Sequence, residues 1–199
     1  KNKDGNSPLI IAADRGHKEI CEILLRRGAK VNRKNKDGNT PLIFAVLGGH
    51  KDICETLITE GANVDHENKF GNSPLIIAVL RDRIEICKLL LRKGAYVDHE
   101  NGDGNTPLII SVLRNHTEIS ELLLKKGAYV DHENRDGNTP LDLALEHGNG
   151  RSCILLMDKK VPGHRVNLIR NLDGSLSIQS KEVSFQCLLC QIDPQRATE

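Results

Sequence analysis

The sequence predicts an all-α solenoid of about five stacked helix–turn–helix units, followed by a short irregular or β-hairpin tail. Two observations predict this fold. The stretch Asp-Gly-Asn-Thr-Pro-Leu at residues 37–42 recurs with small changes at 4–9, 70–75, 103–108 and 136–141, always 33 residues apart. Between the copies lie two short apolar segments with helical spacing and a polar turn. A fixed period of this size indicates stacked units that cannot bury their apolar faces alone.

The recurring stretch marks the start of each unit. Gly38 tolerates the positive φ that a turn needs. Thr40 is a helix N-cap residue, and Pro41 suits the first helical position, where a missing N–H costs nothing. The other copies carry Ser or Thr and Pro at the same places, so every unit is predicted to open with a capped helix.

The second unit shows the predicted elements in order. Residues 41–47 form a short apolar helix closed by Gly48 and Gly49, and residues 52–58 form a second helix ended by Gly61. A polar stretch then leads through a hairpin-like turn into the next cap. The second helices share one apolar face, which we predict to be buried against neighbouring units: Ile20, Cys21, Leu24, Leu25; Ile53, Cys54, Leu57, Ile58; Ile86, Cys87, Leu90, Leu91; Ile119, Ser120, Leu123, Leu124.

The period divides the chain into an array at residues 1–160 and a tail at 161–199. The units lie near 4–36, 37–69, 70–102, 103–135 and 136–160. The fifth is the most polar, as expected of an outer layer that faces water. In the tail, residues 165–169 and 172–179 are strand candidates around Asp173-Gly174, a hairpin signal. The tail either caps the last unit or begins another module.

Composition argues against several classes of function. The formal net charge is +1, aromatic residues are 3% and Trp is absent, so we expect no nucleic-acid binding. The longest apolar run, Leu75–Leu80, is far shorter than the ~18 residues of a membrane span. The chain begins with Lys1 rather than Met, and we expect it to be part of a longer, monomeric protein.

Four cysteines share one place in the repeat. Cys21, Cys54, Cys87 and Cys153 lie one or two periods apart, and Ser120 takes this place in the fourth unit. We expect small buried side chains that do not form disulfides, and a reducing, intracellular and cytoplasmic location.

The units resemble the ankyrin repeat, a family with period 33 and a Thr-Pro-Leu-His-x-Ala signature. Residues 40–45 and 106–111 match that signature except for Ile at the His position. Further matches are His17 and His50 after the first helix and Gly-Ala pairs after the second. Arg83 and Asn149 depart from the family pattern, since they stand where other units have His17 and His50.

The resemblance implies a scaffold without catalytic residues that binds a protein partner in a concave groove. The family's binding positions, turn tips and the ends of first helices, correspond to Lys36, Leu47, Lys69, Phe70, Leu80, Arg81, Leu113, Arg114, Arg135 and His147. Phe70 replaces the Asp of the other units, and Leu47, Leu80 and Leu113 form an apolar stripe. Aromatic, apolar and Arg side chains together are typical of an interface hot spot. Alternatively, the leucines only thicken the core.

Two patterns raise the question of a metal. Asp-His-Glu at 65–67 recurs at 98–100 and 131–133, but stacked units place these groups ~8–10 Å apart, too far for one ion. We therefore interpret them as hydrogen-bonded turns in which Asp accepts from local backbone N–H groups. Cys187 and Cys190 have the spacing of half a zinc site, which His164 could extend, or of a redox pair; otherwise they are structural cysteines. We predict no cofactor unless the tail opens a zinc module.

Three hypotheses of function follow. The leading one is a protein-interaction scaffold that is not an enzyme. The alternative is the substrate-recruiting part of an E3 ubiquitin ligase whose RING finger begins at Cys187, which a further Cys/His series would favour. A third, an ankyrin segment of a membrane channel or receptor, requires apolar spans elsewhere.

Overall fold

A computed structural model describes residues 2–160 and the backbone of three strands at residues 167–170, 176–179 and 184–187. In this part of the chain, ten helices follow one another in pairs. Their bounds are α1 Pro8–Asp14, α2 Lys18–Arg26, α3 Pro41–Gly48, α4 Lys51–Thr59, α5 Pro74–Leu80, α6 Ile84–Arg92, α7 Pro107–Leu113, α8 Thr117–Lys125, α9 Pro140–Glu146 and α10 Gly150–Lys160.

The first helix of each pair begins where the sequence predicts. In α1, the Ser7 hydroxyl oxygen accepts a hydrogen bond from the Ile10 N–H at 3.2 Å, and α3, α5 and α7 begin in the same way. At α9, Thr139 accepts from the Asp142 N–H while the Asp142 carboxylate accepts from the Thr139 N–H. This reciprocal pair is a capping box, which satisfies two N–H groups that the helix leaves unbonded.

The helices pack in two parallel rows. The first helices α1, α3, α5, α7 and α9 each contact the next, and so do the second helices α2, α4, α6, α8 and α10. Each helix pair also packs together within its unit. The core therefore runs without interruption between the rows, and its largest fully buried side chains include Leu42, Leu75 and Leu108.

Most of the predicted face of the second helices is buried where a preceding pair covers it, and Ile58 and Leu91 are half-buried. Ile53 is 2% exposed, whereas Ile20, at the same place in α2, is 47% exposed. In α2 only Cys21 is fully buried. The prediction was wrong for Ile20 because a helix face in this fold is covered by the preceding unit, and no described pair precedes α2.

Side chains at the start of the second helices tie successive units together. His50 Nε2 donates to the Asp14 carbonyl at 3.0 Å, His116 Nδ1 donates to the Val79 carbonyl at 3.0 Å, and Asn149 Nδ2 donates to the Val112 carbonyl at 2.8 Å. Asn149, a departure from the His column, thus makes the same kind of bond. Each acceptor belongs to the end of the first helix one unit earlier.

The described strands of the tail are β1 Asn167–Arg170, β2 Leu176–Gln179 and β3 Ser184–Cys187. They form an antiparallel sheet in the order β1-β2-β3, with Leu168 opposite Ile178 and Leu176 opposite Cys187. The pairing of β1 with β2 agrees with the hairpin predicted around Asp173-Gly174. The third strand was not predicted.

Candidate functional site

The turns that join the units are closed by an asparagine. Asn35 Oδ1 accepts hydrogen bonds from the N–H groups of Asp37 and Asn39, both at 2.9 Å. Asn2, Asn68, Asn101 and Asn134 close the other turns in the same way. The local acceptor in these turns is therefore Asn. In the Asp-His-Glu stretches, Asp65 and Asp98 accept from backbone N–H groups as predicted, but from those of the next unit rather than from local ones.

Backbone bonds link each turn tip to the next. The N–H groups of Lys36, Lys69, Gly102 and Arg135 donate to the carbonyls of Asp4, Asp37, Phe70 and Asp103 at 2.9–3.1 Å. Each bond places one residue of a turn beside a residue of the following turn, 32 positions later. We call these four pairs the tip steps. Three of them pair an acidic residue with a basic one.

The Asp-His-Glu stretches also connect successive turns. His66, His99 and His132 donate from Nε2 to the carbonyls of Gly38, Gly71 and Gly104 at 2.8, 3.3 and 3.1 Å. The Asp65 and Asp98 carboxylates accept from the N–H groups of Tyr96 and Tyr129 in the next unit, both at 2.9 Å. These groups thus have structural roles. Among the described residues, no three His, Cys, Asp or Glu side chains lie together as metal ligands.

The third tip step differs from the other three. It pairs Phe70, which is 65% exposed, with Gly102, so that neither charge is present. The Asn72 Oδ1 atom is buried there without a hydrogen-bond partner. At the other steps the corresponding Asn oxygen accepts from the Asn side chain of the next turn at 2.9–3.0 Å. The hydrogen bonding between successive turns is therefore weakest at the step from Phe70 to Gly102.

The backbone dihedrals do not require glycine at position 102. Its φ is not positive, and Lys36, Lys69 and Arg135 make the same backbone bond while carrying long side chains. A Cβ atom at Gly102 would lie 3.0 Å from the Phe70 carbonyl oxygen, so an added side chain would need a small shift. No side chain therefore extends from the residue that bonds to the Phe70 carbonyl, unlike at the other tip steps.

The structure places the predicted binding residues on two kinds of site. Those at turn tips and helix ends are exposed: Lys36, Lys69, Phe70, Arg81, Arg114, Arg135 and His147. The three leucines Leu47, Leu80 and Leu113 are half-buried and pack against the core. They contribute to helix packing, as the alternative interpretation held, and keep part of their surface at the helix ends.

Sequence reasoning missed two residues of the same loops. Asp82 and Asn115 follow the ends of α5 and α7 with φ values of 54° and 55°. Gly16, Gly49 and Gly148 hold the corresponding places, also at positive φ. The signal was present in the sequence, because Asp and Asn replace glycine at these two places only.

The four cysteines that share one place in the repeat lie in the core. Cys21, Cys54, Cys87 and Cys153 are buried and none forms a disulfide. Burial raises the pKa of the Cys54 and Cys87 thiols to about 12, so both stay protonated at neutral pH. The side chain of Cys187, together with His164 and Cys190, lies outside the described residues. The zinc half-site and the E3 ligase alternative therefore stay predictions.

Comparison with family models identifies the repeats. A model of three ankyrin repeats matches residues 9–101 and again residues 75–169. This chain belongs to the ankyrin-repeat family. The prediction of an all-α ankyrin solenoid is thereby confirmed. No curated protein sequence is similar enough to the chain to count as a relative.

Ankyrin repeats indicate that this chain is a protein-interaction module. Among the helices that the structure describes, none combines the length and the apolar character needed to cross a bilayer.

Proposed function

We propose that this ankyrin array is a non-catalytic scaffold that binds a protein partner through its turn tips and first helices, with Phe70 as the central contact. The observation that carries the proposal is the third tip step. An exposed aromatic ring stands there where the other units hold Asp, beside a glycine whose φ does not require it.

The Phe70 side chain is 65% exposed and is not among the side chains that pack against the core. Burial of a Phe side chain against a partner contributes about 2 kcal/mol, and aromatic anchors beside open space are typical of binding hot spots. The exposed part of the ring is available to a partner side chain. Phe70 can therefore contribute affinity in a complex while the free array folds without it.

The chemistry of the described surface supports a role without catalysis. The shallow depression between α2 and α4 is lined by Lys18, Asp52, Glu55, Thr56, Thr59 and Glu60. Its threonine hydroxyls donate to helix carbonyls, Thr56 to Asp52 at 3.0 Å and Thr59 to Glu55 at 2.9 Å. These hydroxyls are engaged with the backbone rather than with a general base.

The proposal places the scaffold, as a monomer, in a reducing intracellular compartment. Four buried thiols without a disulfide support this location, because secreted proteins of this size commonly pair their cysteines.

Phe70→Asp tests the proposal, since it restores the residue that the other units carry. We expect the affinity for the purified partner to fall roughly 30-fold, corresponding to ~2 kcal/mol, while the Tm is unchanged. Affinity capture with the complete chain supplies the partner, and calorimetry measures the affinity. Asp103→Ala, in the same column one unit later, is the matched control. Equal affinities for Phe70→Asp and the native chain would refute the role of Phe70.

A further inference from the structure

We propose that Arg81 and Arg114 form a two-point site for an extended acidic segment of the partner, which carries two carboxylates about three residues apart. The inference rests on the proposed function and adds the chemistry of the ligand to it. It concerns the loops that follow α5 and α7, away from the tip steps.

The two arginines occupy equivalent places on neighbouring helices. Arg81 is the C-cap residue of α5, and Arg114 is the C-cap residue of α7. Because α5 and α7 pack side by side, the two Cα atoms lie about one helix-packing distance apart, roughly 8–10 Å. The array therefore holds two cations at a spacing set by the fold.

Both guanidinium groups are available to a ligand. Arg81 and Arg114 are exposed, and neither side chain has a hydrogen bond or ion pair within the described residues. Arg83 differs, because its guanidinium lies over Gly49 of the preceding unit. The Asp82 carboxylate is 3.8 Å from His116 Nδ1, so its nearest cationic partner is that ring when protonated.

The same loops keep side chains where the other units have glycine. Asp82 and Asn115 adopt positive φ, a conformation that glycine reaches at lower cost. Backbone strain of this kind is retained where a side chain is useful. The second loop thus presents Arg114 followed by the Asn115 amide, which can donate to a carboxylate, whereas the Asp82 carboxylate after Arg81 lies beside His116; Leu80 and Leu113 are half-buried next to these loops.

These features select an extended segment with carboxylates at i and i+3. In the extended polyproline II conformation the chain rises ~3.1 Å per residue and repeats every three residues, so side chains at i and i+3 lie on the same face about 9 Å apart, which matches the roughly 8–10 Å between the two Cα atoms. Arg binds a carboxylate through two parallel N–H···O bonds, which gives direction as well as charge. The exposed parts of Leu80 and Leu113 can contact the intervening side chains of the segment.

Short fluorescent peptides test the inference with the complete chain. One peptide carries Glu at i and i+3, a second carries Glu at i and i+1, and a third carries Gln at i and i+3. We expect Arg81→Gln and Arg114→Gln each to lower the affinity for the first peptide roughly three- to tenfold, measured by fluorescence anisotropy at low salt.

Arg15→Gln is the matched control. Arg15 is the C-cap residue of α1, so this variant loses the same charge at the same kind of helix end, but the next unit has Gly48 in its column. We expect its affinity for the first peptide to equal that of the native chain. Equal loss in all three variants, or equal binding of the first two peptides, would overturn the two-point site.

The purified partner separates this inference from the proposed function. Loss of binding in Phe70→Asp together with native binding in the Arg81→Gln, Arg114→Gln double variant would overturn the arginine site alone. Native binding in both would overturn the proposed binding surface as well. Loss in both, with an unchanged Tm, supports both.

Discussion

Two buried serines give the fourth unit a polar contact that its neighbour lacks. Ser111 and Ser120 replace Ala78 and Cys87 of the third unit, and their hydroxyl oxygens are 2.8 Å apart. Ser111 also reaches the Leu108 carbonyl at 2.8 Å and Ser120 the His116 carbonyl at 3.2 Å. Two hydroxyl protons cannot fill three bonds at once, so each serine keeps a backbone acceptor if its partner is removed.

Substitution of either serine is expected to leave the other with a hydrogen bond to its own helix. Ser111→Ala or Ser120→Cys removes one buried hydrogen bond, which lowers the free energy of unfolding by about 1 kcal/mol. The double variant carries the Ala and Cys of the third unit, and its cost is expected to be about the sum of the two single costs, because each substitution removes one of the two bonds that the hydroxyl protons can make. Urea denaturation measures all three values. A single variant that costs as much as the double variant would contradict this count.

The sequence predicted the roles of single residues where the repeat supplies them. The Ser and Thr caps, the buried thiols and the core position of Ser120 followed from their places in the repeat. The contact between the two serines did not, because they lie on different helices and their distance depends on helix packing. The exposure of Phe70 likewise became meaningful only once Gly102 was placed beside it.

At the scale of elements, hydrogen bonds connect each turn to the next, and one of these connections has fewer bonds than the others. The tip step from Phe70 to Gly102 lacks the Asn–Asn bond of the others, and the His99 to Gly71 distance of 3.3 Å is the longest of its kind. Local opening has a free-energy cost that falls when such bonds are lost.

Hydrogen exchange should detect this step. We expect the Gly102 amide to exchange about fivefold faster than the Lys69 and Arg135 amides, after correction for intrinsic rates, since one missing side-chain bond lowers the cost of opening by ~1 kcal/mol. NMR exchange at neutral pH compares the three amides in one sample. Equal protection of all three would show that the backbone bond alone determines opening.

Helix existence was predictable from the sequence, and helix coverage was not. The Ser/Thr-Pro starts place the first helices correctly, because capping is a local interaction. The exposed Ile20 shows the opposite case: the same residue type in the same column is buried only if a preceding unit lies against it. The hydrogen bonds between successive units were not predicted for a similar reason, because they join residues 28–37 positions apart.

At the scale of the whole molecule, the buried thiols make the free energy of unfolding fall at high pH. The folded-state pKa of Cys54 and Cys87 is about 12, whereas their ordinary value is 9.0. Between these values the unfolded chain loses thiol protons that the folded chain retains. Their contribution is therefore complete below about pH 9 and is lost as the pH rises towards 12.

We expect the free energy of unfolding to fall above pH 9 by at most about 1.4 kcal/mol per thiol and pH unit. A Cys54→Ala, Cys87→Ala double variant provides the control for Lys and Tyr ionisation. Its slope against pH should be shallower than that of the native chain in urea denaturation. Parallel slopes would show that these thiols ionise equally in both states.

The period predicted the array as a whole, because five copies in register leave little freedom for another architecture. The tail was predicted less completely, since β3 has no turn signal of the kind that Asp173-Gly174 provides for β1 and β2. The boundary near residue 160 stays a prediction, and the family match extends to residue 169.

The backbone bonds between turn tips make this protein extensible in whole steps. Because Lys36, Lys69, Gly102 and Arg135 all bond to the preceding turn in the same way, a duplicated copy of residues 70–102 could be spliced in without remodelling either side. Such a splice would add a second exposed phenylalanine and a third arginine at the helix ends, and so lengthen the row of side chains that a ligand must match.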